Sequence, residues 1–142
     1  MTDASLVTIM VGSIEPVFTS IGTKEYVKLY VRCSDPPGQG QNPFLIGIVT
    51  PHVLESPKTE VGIRFDGGRP RYERWSVNKG GTTVQTFNAD KRKNFLSDLQ
   101  KHKKLVFQWQ RYNAESPTAA SFDISKLSSF LKRGEADGCD FS

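Results

Sequence analysis

The sequence predicts a mainly β fold, an antiparallel β-sandwich or flattened barrel of about eight strands with two short helices. Three observations carry this. Apolar and polar residues alternate over several short runs, the period of a half-buried strand. Glycine-rich turns separate those runs and supply the positive φ that tight reversals need. Two later stretches instead carry their apolar residues at helical spacing. The chain has 142 residues, which fits one domain over 1–142, with 134–142 as an acidic tail.

In order, Ser5 to Gly12 forms the first strand, and Phe18 and Ile21 fall in a connection ending at Gly22. Tyr26 to Cys33 is the second strand, with Val27, Leu29, Val31 and Cys33 toward the core. Ser34 to Asn42, with two prolines and two glycines, is a loop. Phe44 to Val49 is apolar on both faces and therefore central. Pro51 and Pro57 remove ladder donors, so Thr50 to Lys58 is a connection or irregular edge.

Thr59 to Phe87 is a three-strand meander, and the rest of the chain is arranged to cover it. Its reversals are Asp66-Gly67-Gly68 and Asn78-Lys79-Gly80-Gly81. Arg64 and Asp66 share a strand face and are expected to form an ion pair. A helix capped by Asn88 or Asp90 runs to about Lys101, with Phe95, Leu96 and Leu99 inward. Leu105 to Tyr112 and Thr118 to Ile124 are the last strands. Ser125 caps a short helix striped by Leu127, Phe130 and Leu131 and ended by Gly134. Trp75 and Trp109 read as core residues.

Composition bounds the function. Hydrophobic residues are 37% and charged residues 24%, ordinary for a globular chain. No apolar run approaches the ~20 residues of a helical membrane span. The N-terminus lacks a basic n-region and a long apolar h-region, so it does not read as a signal peptide. The expected location is the periplasm or the exterior where a leader has been removed, and the cytoplasm otherwise. Net charge is +4 and uneven, with eleven Lys or Arg against four Asp or Glu in residues 64–104.

The residues offer little chemistry. There is no G-x-S-x-G elbow and no Walker loop. His102 sits among lysines and does not resemble a base oriented by a carboxylate. His52, between Pro51 and Val53, reads as a surface residue. Asp66-Gly67-Gly68 is a turn rather than a calcium loop, which needs more oxygen ligands. Two cysteines without suitable histidines do not make a zinc set. A non-enzyme with no metal and no cofactor is expected. Cys33 and Cys139 are remote in sequence, and the residues alone leave two free thiols and a disulfide equally open.

Val61-x-x-Arg64-x-Asp66, Trp75-Ser76 and Thr118-Ala119-x-x-Phe122-Asp123-Ile124-Ser125, with VRC early and a Cys late, form a pattern that resembles a known family. It is similar to the type VI secretion-associated accessory family called VasI-like, and more loosely to the invasion-associated locus B family. The resemblance spans about Leu6 to Cys139, mostly through packing and turn residues. It implies a secreted or periplasmic bacterial β-sandwich. It also implies a Cys33–Cys139 disulfide that ties the tail back, and an oxidising compartment.

The function expected is therefore a non-catalytic protein-interaction module, an accessory protein of a bacterial envelope or secretion system. The expected contact surface is the end carrying Pro36 to Asn42 and Asp66 to Arg71, with Arg69, Arg71, Tyr72 and Arg74 as partner-binding candidates. One alternative is a polyanion or nucleic-acid binding protein using the basic stretch 64–104, with those same residues supplying phosphate contacts and a stacking ring. Another is a small inhibitor or immunity-type binder, phage-encoded.

Overall fold

The computed structural model describes residues 7–19, 21–33, 44–52, 54, 58–78, 80–86, 89–110 and 116–136. Ten strands and two helices follow in the order β1 (Val7–Gly12), β2 (Val17–Phe18), β3 (Lys24–Glu25), β4 (Lys28–Cys33), β5 (Phe44–Val49), β6 (Lys58–Phe65), β7 (Arg71–Val77), β8 (Thr83–Thr86), α1 (Ala89–Lys101), β9 (Lys104–Trp109), β10 (Thr118–Asp123) and α2 (Leu127–Ala136).

Eight of the strands form one antiparallel sheet in the order β1-β4-β5-β8-β7-β6-β9-β10. The sheet curls until its two edge strands nearly meet. At that seam the Ile14 N–H donates to the Ser121 carbonyl at 2.7 Å. Bringing the edges together hides backbone groups that would otherwise invite another chain. The alternating strand directions place the β6–β7 turn, the α1–β9 turn and the junction of β10 with α2 at one end of the barrel. Residues 50–52, after β5, and the turn between β7 and β8 lie at the other.

The interior follows from the alternation. Val27, Leu29 and Val31 point inward, as do Val61 and Ile63 of β6 and Leu105, Phe107 and Trp109 of β9. Trp75 meets Phe95 of α1 edge-on, centroids 5.2 Å apart at 86°, which the ring quadrupole favours. Leu96 and Leu99 of α1 and Leu127 and Leu131 of α2 complete the same core. Each such side chain contributes about 1.5–3 kcal/mol by leaving water. β5 is central, between β4 and β8.

Several elements depart from expectation. The supposed plain connection ending at Gly22 contains β2, which pairs with β3 just beyond that glycine to make a separate two-stranded sheet. Strands of two residues are too short to show any period. Gly134 does not end α2, which runs to Ala136; a glycine inside a helix costs only about 1 kcal/mol. Ser125 does not turn toward the helix. Its hydroxyl and its N–H both donate to Asp123 Oδ1, at 2.7 and 3.0 Å, an Asx-type turn that competes with capping. Of the two residues expected to cap α1, Asp90 lies within its first turn, and Asn88 is outside the described residues.

Candidate functional site

At the β6–β7 end, Asp66 and Gly67 both take positive φ, 49° and 73°, and the Gly68 N–H donates to the Phe65 carbonyl at 2.8 Å. This is a type I′ reversal. The left-handed turn carries Asp66 off the strand face, so the expected ion pair with Arg64 does not form. Asp66 instead reaches the α1–β9 turn. Its Oδ1 accepts the N–H groups of Lys103 and Lys104 at 3.1 and 2.9 Å, and its Oδ2 lies 2.9 Å from His102 Nδ1. His102 also stacks on Phe65, with centroids 5.0 Å apart. His102 is thus oriented by a carboxylate, contrary to the reading from its lysine neighbours, because Asp66 comes from 36 residues away.

The Lys104 N–H, then the His102 side chain, hold the Asp66 carboxyl below the usual carboxylate range. A carboxyl depressed in the folded state contributes stability that is complete above its ordinary pKa and is lost as pH falls through the folded value. Asp66→Asn is therefore expected to make acid unfolding less steep below about pH 4, read by urea melts across that range. An unchanged acid slope would show that Asp66 adds nothing to folding. Asp123 is depressed in the same sense, first by the Ser125 hydroxyl and then by its N–H.

The expected partner anchors divide. Arg71 opens β7 and is engaged within the protein. Its Nη1 donates to Asp98 Oδ2 of α1 at 2.9 Å, and its Nε lies 3.0 Å from Glu73 Oε2. Glu73 Oε1 in turn accepts the Trp75 indole N–H at 2.9 Å. Arg71 is thus a tie between β7 and α1 rather than a free anchor, a correction the period of the strand could not supply. Arg69, Tyr72 and Arg74 are exposed, and none of the three makes an ion pair or side-chain hydrogen bond among the described residues.

At the opposite end His52 is buried, where a surface residue was expected. The Trp109 indole N–H donates to His52 Nδ1 at 3.2 Å. The other ring nitrogen, Nε2, therefore carries the proton and donates to the Phe18 carbonyl. His52 ties the connection after β5 to β9 and to β2.

The segment between β1 and β4 is an arm. Ser13 and Val27 pin its base, through Ser13 N–H to Val27 O at 2.7 Å and Val27 N–H to Ser13 Oγ at 3.0 Å. Between these points Phe18 is 61% and Ile21 83% exposed, and Ile14 and Tyr26 are exposed as well. The Lys24 ammonium stands over the Phe18 ring. Cys33 closes β4. Its expected partner Cys139, and the loop Pro36 to Asn42, lie outside the described residues. Among the described residues no three metal-ligating side chains come together.

No family model matches the chain, and no curated protein matches it in sequence. Among solved structures it is similar to the crystal structure of invasion associated protein b from Bartonella henselae. That likeness covers 85% of this chain and 81% of that one, with a TM-score of 0.53 and 16% identity. What the two share is a fold. The likeness falls on the looser of the two sequence resemblances; nothing in these comparisons supports the VasI-like one.

Proposed function

We propose that this protein is a non-catalytic interaction module that docks onto a protein partner in a bacterial envelope or secretion system. The arm carries the reading. Four large apolar side chains, Ile14, Phe18, Ile21 and Tyr26, stand in solvent on one short segment. That segment is pinned at its base and held at Phe18 by a buried histidine. Apolar surface concentrated in this way marks an interaction site rather than a solvated face. The fold shared with the invasion associated protein agrees with an accessory role. The finer placement among VasI-like accessory proteins rests on the short sequence matches alone.

The test is affinity capture from the native host with the wild type beside Ile21→Asp and Phe18→Ser. Both positions are exposed, so each change is expected to alter stability by less than about 0.5 kcal/mol while removing the partner. A partner retained by both variants would sink the reading. A pure protein that turned over a cell-wall fragment or a nucleotide would overturn its non-catalytic part.

The same proposal places the protein in an oxidising compartment with Cys33 and Cys139 joined. Protein made in such a compartment is expected to gain 2 Da on reduction. Two alkylatable thiols in the folded, unreduced protein would reject the disulfide.

A further inference from the structure

We propose that the outer face of β6, β7 and β9 binds single-stranded nucleic acid, with Tyr72 as the stacking platform and Arg64, Arg69, Arg74 and Lys104 as the phosphate contacts. This surface adjoins the arm at Lys104, which lines one cleft with Ile14, Glu15, Pro16 and Val17. Arg64, Tyr72 and Arg74 lie on β6 and β7, on the far side of β9 from it, so variants at those three test the inference independently of the protein-partner reading.

The sheet holds two copies of one cross-strand arrangement. On one side of the barrel Tyr30 of β4 lies opposite Gly47 of β5, which lies opposite Gln85 of β8. On the other side Tyr72 of β7 lies opposite Gly62 of β6, which lies opposite Gln108 of β9. In each, the tyrosine ring covers the glycine. A Cβ added at Gly47 would sit 2.6–2.7 Å from the Tyr30 ring and hydroxyl, and one added at Gly62 would sit 3.1 Å from the Gln108 side chain and 3.2 Å from Tyr72 Cε1, so there ring and amide share the space over the glycine. Glycine is what lets the ring lie down on the neighbouring strand.

The two copies differ in what the ring does next. Tyr30 is 5% exposed, and its hydroxyl donates to Gln85 Oε1 at 2.8 Å. That copy is closed. Tyr72 is 56% exposed, and its hydroxyl has no partner among the described residues. The same cross-strand placement thus presents an aromatic surface to solvent.

Cations surround that ring. Arg74 follows it on the same face of β7. Arg64 lies two residues along β6 from Gly62, diagonal to the ring, at a spacing of about 7 Å. Lys104 lies two residues from Val106, the partner of Arg64 on β9, and Arg69 stands in the adjoining turn. All four are exposed, and none forms an ion pair among the described residues. The nearby carboxylates are mostly engaged. Glu73 holds Arg71 and Trp75, Asp66 holds His102 and two backbone N–H groups, and Asp123 holds Ser125. Glu60, opposite Arg74, is the acid left on these three strands. Cations on three neighbouring strands and their turn, with a flat ring among them, suit a phosphate chain carrying planar bases, since every base has a face to stack.

The test uses fluorescein-labelled oligo-dT and oligo-U of about 12 nucleotides, read by fluorescence anisotropy against salt. Affinity is expected to fall as salt rises, with a log–log slope near −0.7 for each phosphate neutralised. Arg64→Gln with Arg74→Gln should flatten that slope by about 1.4. Tyr72→Ala should weaken binding at least about fivefold at every salt and leave the slope unchanged, and Tyr72→Phe should bind as wild type. Tyr72→Leu covers the case in which the alanine variant does not fold. Polyglutamate is the competitor that separates nucleic acid from any polyanion. Equal competition by polyglutamate, no effect of Tyr72→Leu, or no binding at low salt each overturns the proposal.

Discussion

His52→Ala is expected to lower folding stability by about 3 kcal/mol. The ring is buried and uses both nitrogens, accepting from Trp109 and donating to Phe18. Removing it leaves the buried Trp109 indole N–H without an acceptor, which costs about 1–3 kcal/mol. The volume lost adds a cavity penalty of similar size. His52→Phe tests the parts separately: it refills the space and still strands the N–H, so about 1–2 kcal/mol should remain. In a thermal melt the alanine variant is expected roughly 6–12 °C below wild type. A loss under about 0.5 kcal/mol, the scale of a surface substitution, would show that the histidine is not the tie described here.

His52 also shows why some of the molecule was legible in the sequence and some was not. The strands could be read because alternation is a local property. Val27, Leu29 and Val31 announce their face within a few residues, and the helix stripe of Phe95, Leu96 and Leu99 does the same. The partners of His52 lie 34 and 57 residues away, and nothing near Pro51 indicates them. The Arg64–Asp66 expectation failed differently. Period-two reasoning assumes extended backbone, and the φ of 49° at Asp66 ends that assumption one residue too early. The arm was missed because two-residue strands have no period. Its exposed apolar side chains were visible only as Phe18 and Ile21 in a connection, and burial is not a local quantity. The signal for Arg71 was an acid two residues on, Glu73, which shares its strand face; Asp98 needed the helix in place.

Arg71→Ala is expected to cost about 2 kcal/mol of stability, where Arg69→Ala and Arg74→Ala should each cost under about 0.5 kcal/mol. Of the three only Arg71 has an acid two residues on, and only the structure adds Asp98, so the contrast tests the structure directly. Arg71 stands between Glu73 and Asp98, and Glu73 is mostly buried because it also holds the Trp75 indole. Truncating the arginine leaves two carboxylates facing a gap with no cation. A fully buried pair broken in this way costs about 3–5 kcal/mol. The Arg71 side chain is 39% exposed, so water screens part of the loss and the lower figure applies. Arg71→Lys should recover some of it, since a point charge meets one carboxylate but not both in the geometry of a guanidinium. The decisive measurement is a double-mutant cycle of Arg71→Ala with Asp98→Ala in urea. Coupling near 1 kcal/mol or above identifies a tie between β7 and α1. Coupling near zero would return Arg71 to the class of exposed ion pairs, which add little to stability.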